Sequence, residues 1–219
     1  MGLRGQIFAL VYDRQMAKAE RAGLRALRTE LLARARGHVL EIGAGTGANL
    51  SYYGPQVQSL TLTEPEPPMM RRLRRRAGLE REVTVVRAPA EEQPFDDNSF
   101  DVVVSTLVLC GVEDQPRALR EVRRVLRPEG HLLFLEHVRA QDPNLARLQD
   151  RMNGVNRFLV GCNCNRPTLA TIEAAGFSVT WLEQTTVPKA PKFVRPAILG
   201  SATVSAAVKA THLAEDPVL

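Results

Sequence analysis

Cysteine is scarce in this 219-residue chain. Three residues, an odd number, cannot make the framework of a disulfide-stapled fold, so stability has to come from an apolar core. Cys162 and Cys164 stand one residue apart, a poor spacing for zinc, and the four histidines are scattered, so no metal site is expected. Thiols without a framework suit a reducing cytoplasm. Long hydrophobic runs are missing too. No stretch approaches the roughly 18–20 apolar residues of a membrane span, and the N-terminus lacks the basic-then-apolar layout of a signal peptide. Met1-Gly2 is followed by Gln6 where a myristoylation signal carries Ser or Thr, so the chain is expected to start almost at its domain, without an anchor. Peripheral membrane contact and oligomeric state stay open. Aromatic residues make up only 5% of the chain, and none interleaves the basic run at 71–76 to stack nucleic-acid bases. Met69, Met70, Leu73 and Ala77 recur through that run at helical spacing, which turns its arginines to solvent. Nucleic acid is therefore not an expected partner, despite a net charge of +5.

What is present is an ordinary globular composition, 44% hydrophobic and 24% charged, long enough for one domain with a sizeable core. Residues 39–47 read Val-Leu-Glu-Ile-Gly-Ala-Gly-Thr-Gly. The apolar run has the pattern of a strand buried on both faces, and the glycines let the backbone turn tightly and approach a ligand closely. Thr46 and Asn49 suit the start of a helix whose free N–H groups would face that ligand. Dinucleotide enzymes space their glycines as G-x-G-x-x-G around a pyrophosphate. Here the third glycine comes one residue early, and Glu41 would repel a phosphate but suits an ammonium.

Glu64 closes the alternating run 57–63, where an acid would hold a ribose diol. Its bland alternative is an acid leading into the helix introduced by Pro65-Glu66-Pro67-Pro68. Further strands are expected at 83–88, 102–106 and 131–137, with a helix from Asp114-Gln115-Pro116 to Pro128 and Gly130. A helix at 166–175 and a hairpin of 177–183 with 193–199 close the pattern, while 138–166 yields no assigned element. Alternating strands and helices predict an α/β fold: a Rossmann-like, doubly wound, seven-stranded, mostly parallel sheet with helices on both faces. Residues 1–36 read as an N-terminal helical lid, 37–200 as the domain and 201–219 as a loosely held tail.

Taken in order, the glycine loop, Glu64, P-F-D-D-N-S-F-D at 94–101, T-L-V-L-C at 106–110 and L-R-E-V-R-R-V-L-R-P-E-G at 119–130 resemble a class I S-adenosylmethionine (SAM)-dependent methyltransferase of the type 11 domain. G-A-N-L-S-Y-Y at 47–53, E-H-V at 136–138, G-C-N at 161–163 with Arg166, and R-P at 195–196 before Gly200 resemble the small thiol-methylating branch. The resemblance implies SAM as cofactor, S-adenosylhomocysteine as product and a small-molecule methyl acceptor. It implies that Gly43, Ala44, Gly45, Thr46, Gly47 and Asn49 wrap the methionine part of SAM, with Glu41 orienting its amino group. Glu64 would hold the ribose beside Pro65, Met69 would pack on the adenine, and Ala90 and Glu91 would read the adenine edge. Thr106 and Leu107 would line the methionine tail, and Tyr12 would lie over the cofactor. Many relatives have an aspartate where this chain has Pro89, which shifts adenine recognition toward Glu91 or backbone groups.

A thiol acceptor ionises near pH 8.5 and needs little help from a base. If a base exists it is His137, at the carboxyl edge of strand five, with Asn163 and Arg166 positioning the acceptor. Arg166 tying the loop to the sheet, and a merely structural His137, are the competing readings. Quinone, phenol, amine or phospholipid acceptors share the same core and stay open. An arsenite-type site built from Cys110, Cys162 and Cys164 fits the surrounding motifs less well, and a non-catalytic SAM-binding module is the remote alternative.

Overall fold

A computed structural model describes residues 17–80 and 83–205. Seven strands form one sheet: β1 (Gly37–Ile42), β2 (Val57–Thr63), β3 (Thr84–Val86), β4 (Phe100–Thr106), β5 (Leu126–His137), β6 (Phe177–Thr186) and β7 (Pro196–Val204). Their spatial order is β3-β2-β1-β4-β5-β7-β6, parallel except where β7 pairs antiparallel with both neighbours. The order reverses between β1 and β4, so the loops leaving those strands part above the sheet, the usual place for a ligand in open α/β folds.

Helices cover both faces. On one face α1 (Arg25–Leu32) and α2 (Pro67–Glu80) bring Leu31, Leu32, Leu73 and Ala77 against Val39, Leu62, Val104, Leu135 and Leu199. On the other, α3 (Gln115–Val125) and α5 (Thr168–Ala174) bring Leu119, Val122 and Ile172 against Leu40, Val103, Phe134 and Ile198. Period-2 strands with near-continuous apolar stretches meet period-3.6 stripes, which explains why both sheet faces are sealed. Asp114 caps α3 by accepting from Arg117 N at 2.9 Å, with Pro116 in the first turn. Met69, Met70, Leu73 and Ala77 of α2 are buried while Arg71, Arg74, Arg75 and Arg76 face solvent.

Two segments, the turn after Gly47 and the stretch 138–166, differ from the sequence pattern. The helix expected to start at Thr46 and Asn49 is only a three-residue 3-10 turn, Leu50–Tyr52, because Gly54 and Pro55 bring the chain straight back to β2. The unassigned stretch 138–166 contains an 18-residue helix, α4 (Pro143–Val160). It begins at a capping Asp142, whose side chain accepts from Leu145 N, and ends at Gly161 in the left-handed conformation. Its inward face carries Ala146, Gln149 and Asn156, whereas Val155, Phe158 and Leu159 point outward, so no apolar periodicity marks a buried side. The segment read as a lid places Leu24, Leu31 and Leu32 fully inside the same core cluster as the strands, and β7 runs on to Val204 with Ala202 buried. Tyr12 and residues 206–219 lie outside the described residues.

Gly200 lets β7 pass edge-on to a ring: an added Cβ would meet Phe134 Cζ at 2.5 Å and the Trp181 carbonyl oxygen at 2.6 Å. The carbonyl is strand backbone and cannot yield. Gly200→Ala should cost about 1–3 kcal/mol by overpacking and lower the thermal midpoint by several degrees. A melt indistinguishable from wild type would show that the β6–β7 hairpin has slack the packing does not suggest.

Candidate active site

Two loops and one helix meet above the β1–β4 divergence. The first loop follows β1, with Gly43, Gly45 and Gly47 all at positive φ. Gly43 abuts the second loop, since a Cβ there would strike Val108 Cγ1 at 2.7 Å. Gly45 is different: nothing lies within 4 Å of its Cβ position, so this turn borders open space. Beside it the Glu64 carboxylate accepts from Gly45 N at 2.9 Å and from Glu66 N at 2.8 Å. Burial pushes the Glu64 pKa up, and those two N–H groups pull against the shift.

Glu41 points to the α1 face and is fully enclosed there. Tyr53 Oη donates to its Oε2 at 2.6 Å and Asn49 Nδ2 to its Oε1 at 3.0 Å. Asn49 also donates to Thr106 Oγ1 at 2.9 Å. Burial raises the Glu41 pKa to about 7, opposed by the Tyr53 hydrogen bond, the nearby Arg28 charge and Asn49. Arg28 reaches this cluster from α1, donating from Nη1 to Asn49 Oδ1 at 2.7 Å and to Thr106 Oγ1 at 3.1 Å.

The second loop follows β4. Leu107 sits at φ 60°, a conformation that costs a non-glycine residue of order 1 kcal/mol and persists only where neighbours enforce it. Glu136 on β5 is the enforcer. Its Oε1 accepts from Ser105 Oγ at 2.7 Å and from Val108 N at 3.0 Å, with the N–H groups of Leu109 and Cys110 also turned toward it. The loop carbonyls are held from the opposite side. Arg166 Nη1 donates to the Leu109 carbonyl at 2.7 Å, and Asn163 donates to the Cys110 carbonyl from its backbone N at 2.8 Å and from Nδ2 at 3.3 Å. The segments T-L-V-L-C, E-H-V, G-C-N and Arg166 thus converge on one loop.

A family model for the methyltransferase domain matches residues 40–134. The chain is 35% identical over 201 residues to thiol S-methyltransferase TMT1A of Homo sapiens, covering 89% of this chain and 82% of that protein. The chain belongs to the class I SAM-dependent methyltransferases. The methyltransferase is also 38% identical over 170 residues to mouse thiol S-methyltransferase TMT1B, covering 75% of this chain and 69% of that one. Among solved structures, a SAM-dependent methyltransferase of Thermotoga maritima shares the fold at TM-score 0.68 and 22% identity, over 91% of this chain and 98% of that one. YcgJ of Bacillus subtilis does so at 0.65 and 20%, over 82% and 97%.

Around the methyltransferase's glycine loop the structure gathers Glu41, Gly43 to Gly47, Asn49, Glu64 and Thr106, with Leu107 beside them. Met69 and Ala90 are buried, and Arg87 Nε donates to the Pro65 carbonyl at 3.1 Å. Glu91 accepts from Glu113 N and Asp114 N at 2.7 and 3.3 Å, so it tethers the entry to α3. His137 ends β5 on the α1 face, buried beside the carbonyls of Val194 and Pro196, and burial lowers its pKa to about 4. Its Nδ1 has no partner among the described residues. Cys110 lies against Cys162, and that contact, with burial, pushes its thiol well above the usual range. Among the described residues no cluster of His, Cys, Asp or Glu could hold a metal ion.

Three participants escaped sequence reasoning. Arg28 was legible as an arginine spaced four from Leu24 and three from Leu31, a cation on an apolar helical face. Tyr53 and Ser105 carried no such signal, because only the turn after Gly47 and the pairing of β4 with β5 place them.

Glu136 offers a pH test of the loop. Burial raises its pKa from 4.5 to about 7, so the folded state holds the proton over that window more tightly than the unfolded chain. Stability from this group is complete below about pH 4.5 and is lost as pH rises through about 7. Glu136→Gln should gain on wild type by on the order of 1–3 kcal/mol between about pH 5 and about pH 8, in urea unfolding. His137 acts in the opposite sense between about 4 and 6.5 but is common to both proteins and cancels. A flat difference curve would mean that Glu136 is ionised as freely in the fold as outside it.

Proposed function

We propose that this methyltransferase transfers the methyl group of SAM to a small thiol, with the cofactor seated over the glycine loop. The observation that carries the cofactor placement is Gly45, at positive φ beside open space, with the Glu64 carboxylate held against its N–H. A side chain there would fill the cradle, and a carboxylate accepts two ribose hydroxyls. Glu64 would hold the ribose, and Met69 and Ala90 would flank the adenine. Asn49, Thr106 and Glu41 would face the methionine part. Bound SAM supplies a methyl group already activated by its sulfonium. The residues around it have three tasks: to orient the acceptor in line, to exclude water and to avoid holding charge where charge is neutralised.

The loop at 107–110 suits those tasks. Its polar backbone groups are taken up by Glu136, Asn163 and Arg166, which leaves Val108 to present an apolar side chain beside Gly43 and Leu107 to pack on the α1-face cluster. Asn163 and Arg166 act here as positioning residues for the acceptor wall. A histidine with a pKa near 4 is a weak proton acceptor, which favours an acceptor that ionises by itself. A thiol does so, and the related human and mouse enzymes are thiol S-methyltransferases. Val155, Phe158 and Leu159 of α4 are exposed, and α4 runs directly into 161–163, so an apolar thiol finds a matching surface. Peripheral contact with a lipid surface would fall on that exposed face. No described helix is long and apolar enough to cross a membrane. Three free cysteines fit a reducing compartment such as the cytoplasm.

Two variants test the placement by calorimetry. Gly45→Val should abolish SAM binding with the fold intact by circular dichroism, and Glu64→Ala should weaken it at least about tenfold through lost charge-assisted hydrogen bonds. Unchanged affinity in both would remove the cofactor from this loop.

A panel of alkyl thiols, aryl thiols, phenols and amines with labelled SAM tests the acceptor. Thiols should turn over, the rate should follow the thiolate fraction of the acceptor, and His137→Ala should cost less than about threefold, against about 10²-fold for a general base. Inert thiols with active phenols or amines would refute the acceptor and leave the methyltransferase standing.

A further inference from the structure

Arg28 lies on the apolar face of α1 and is 3% exposed, between the fully buried Leu24 and Leu31. A buried guanidinium carries a large desolvation cost, and a leucine or methionine would pack that helical position without it. The charge is nevertheless aimed at the cofactor mouth. Nε donates to Glu20 Oε1 at 2.8 Å, and Nη1 divides between Asn49 Oδ1 at 2.7 Å and Thr106 Oγ1 at 3.1 Å. Nη2 bonds to none of the described residues. The same Asn49 amide that accepts from Arg28 donates to Glu41 Oε1 at 3.0 Å. One amide therefore spaces a cation from an acid, and both stand at the loop where the methionine part of the cofactor belongs.

We propose that Arg28 binds the α-carboxylate of SAM, opposite Glu41 at its α-ammonium, so that the amino-acid end of the cofactor is clamped across Asn49. This rests on the cofactor placement above. The separation suits a zwitterion: an α-amino acid carries its two charges one carbon apart, and Arg28 and Glu41 reach the two ends of one amide. Nη2, which bonds to none of the described residues, would supply the second donor that a carboxylate takes from a guanidinium. Glu41 gains from the same ligand, because an ammonium adds a positive charge that favours the buried carboxylate. Glu20, Asn49 and Thr106 hold the Arg28 guanidinium in place, and two residues past α1 Arg34 lies 4.0 Å over the Trp181 ring of β6.

The test compares two ligands that share adenosine and a thioether but differ in the amino-acid end: S-adenosylhomocysteine and 5′-methylthioadenosine. Calorimetry on wild type should show a strong preference for S-adenosylhomocysteine. Arg28→Met should lose about 10–100-fold for that ligand, yet bind 5′-methylthioadenosine within about threefold of wild type, and Arg28→Lys should fall between. Equal losses for both ligands would mean a merely structural arginine and overturn the proposal. If Arg28→Met does not fold, wild type is read against the methyl ester of S-adenosylhomocysteine. The ester should bind about 10–100-fold more weakly, and equal affinity for acid and ester would overturn the assignment. Failure of wild type to bind either adenosine ligand would instead overturn the cofactor placement on which the clamp depends.

Discussion

The Glu136 carboxylate is the point on which the methyltransferase's site is assembled. It sits fully buried at the end of a central strand, where an ionised group would ordinarily be expelled, and it is kept by the N–H groups of the loop it shapes. That loop must turn through Leu107 at positive φ to leave β4, a conformation with no intrinsic favour. Glu136 compensates from one side while Arg166 and Asn163 take the carbonyls from the other. With its polar groups satisfied inside the protein, the loop can show apolar side chains to the ligand mouth, and Gly43 can pack against Val108 without a gap.

A second buried network surrounds Glu41. Asn49, Thr106, Tyr53, Arg28 and Glu20 form a buried polar chain joining the glycine loop, β4 and α1. Such chains are worth having only when every member is satisfied. Glu20 Oε2 has no partner among the described residues, and Glu41 carries a raised pKa, so this one is under-compensated. An under-compensated network beside an open turn is suited to a zwitterionic ligand, which brings one charge for each end. Glu136, through Oε1 on Ser105 and Val108, shapes the second loop, whereas Glu41 and its partners stand beside the open turn at Gly45.

Much of this was readable from residue order. The β1 run followed by glycines, Glu64 at the end of β2 and the alternating strands predicted the sheet and the floor of the site. The resemblance to thiol-methylating proteins agrees with the 35% identity to the human thiol S-methyltransferase across most of both chains. The short turn at Leu50–Tyr52 in place of a helix was not readable, since capping residues announce a helix without measuring the room available before the next strand. Helix α4 was missed for the converse reason: its polar side faces in and its apolar side faces out, so periodicity pointed nowhere.

Local chemistry determined which stretches turn, extend or coil, because glycine, proline, capping acids and side-chain periodicity act over a few residues. On that basis the sequence by itself settled the α/β architecture, the glycine loop and the acid of β2. Only the tertiary structure decided what the remaining polar residues are for. Asn49 reads as a helix cap until Arg28 and Glu41, 21 and 8 residues away, close on its amide from either side. Glu136, Asn163 and Arg166 read as separate motifs until the crossing of strands brings them to one loop. Hydrogen bonds between distant segments depend on which faces the sheet presents and on what burial leaves without water, and neither is set by nearest neighbours in the chain.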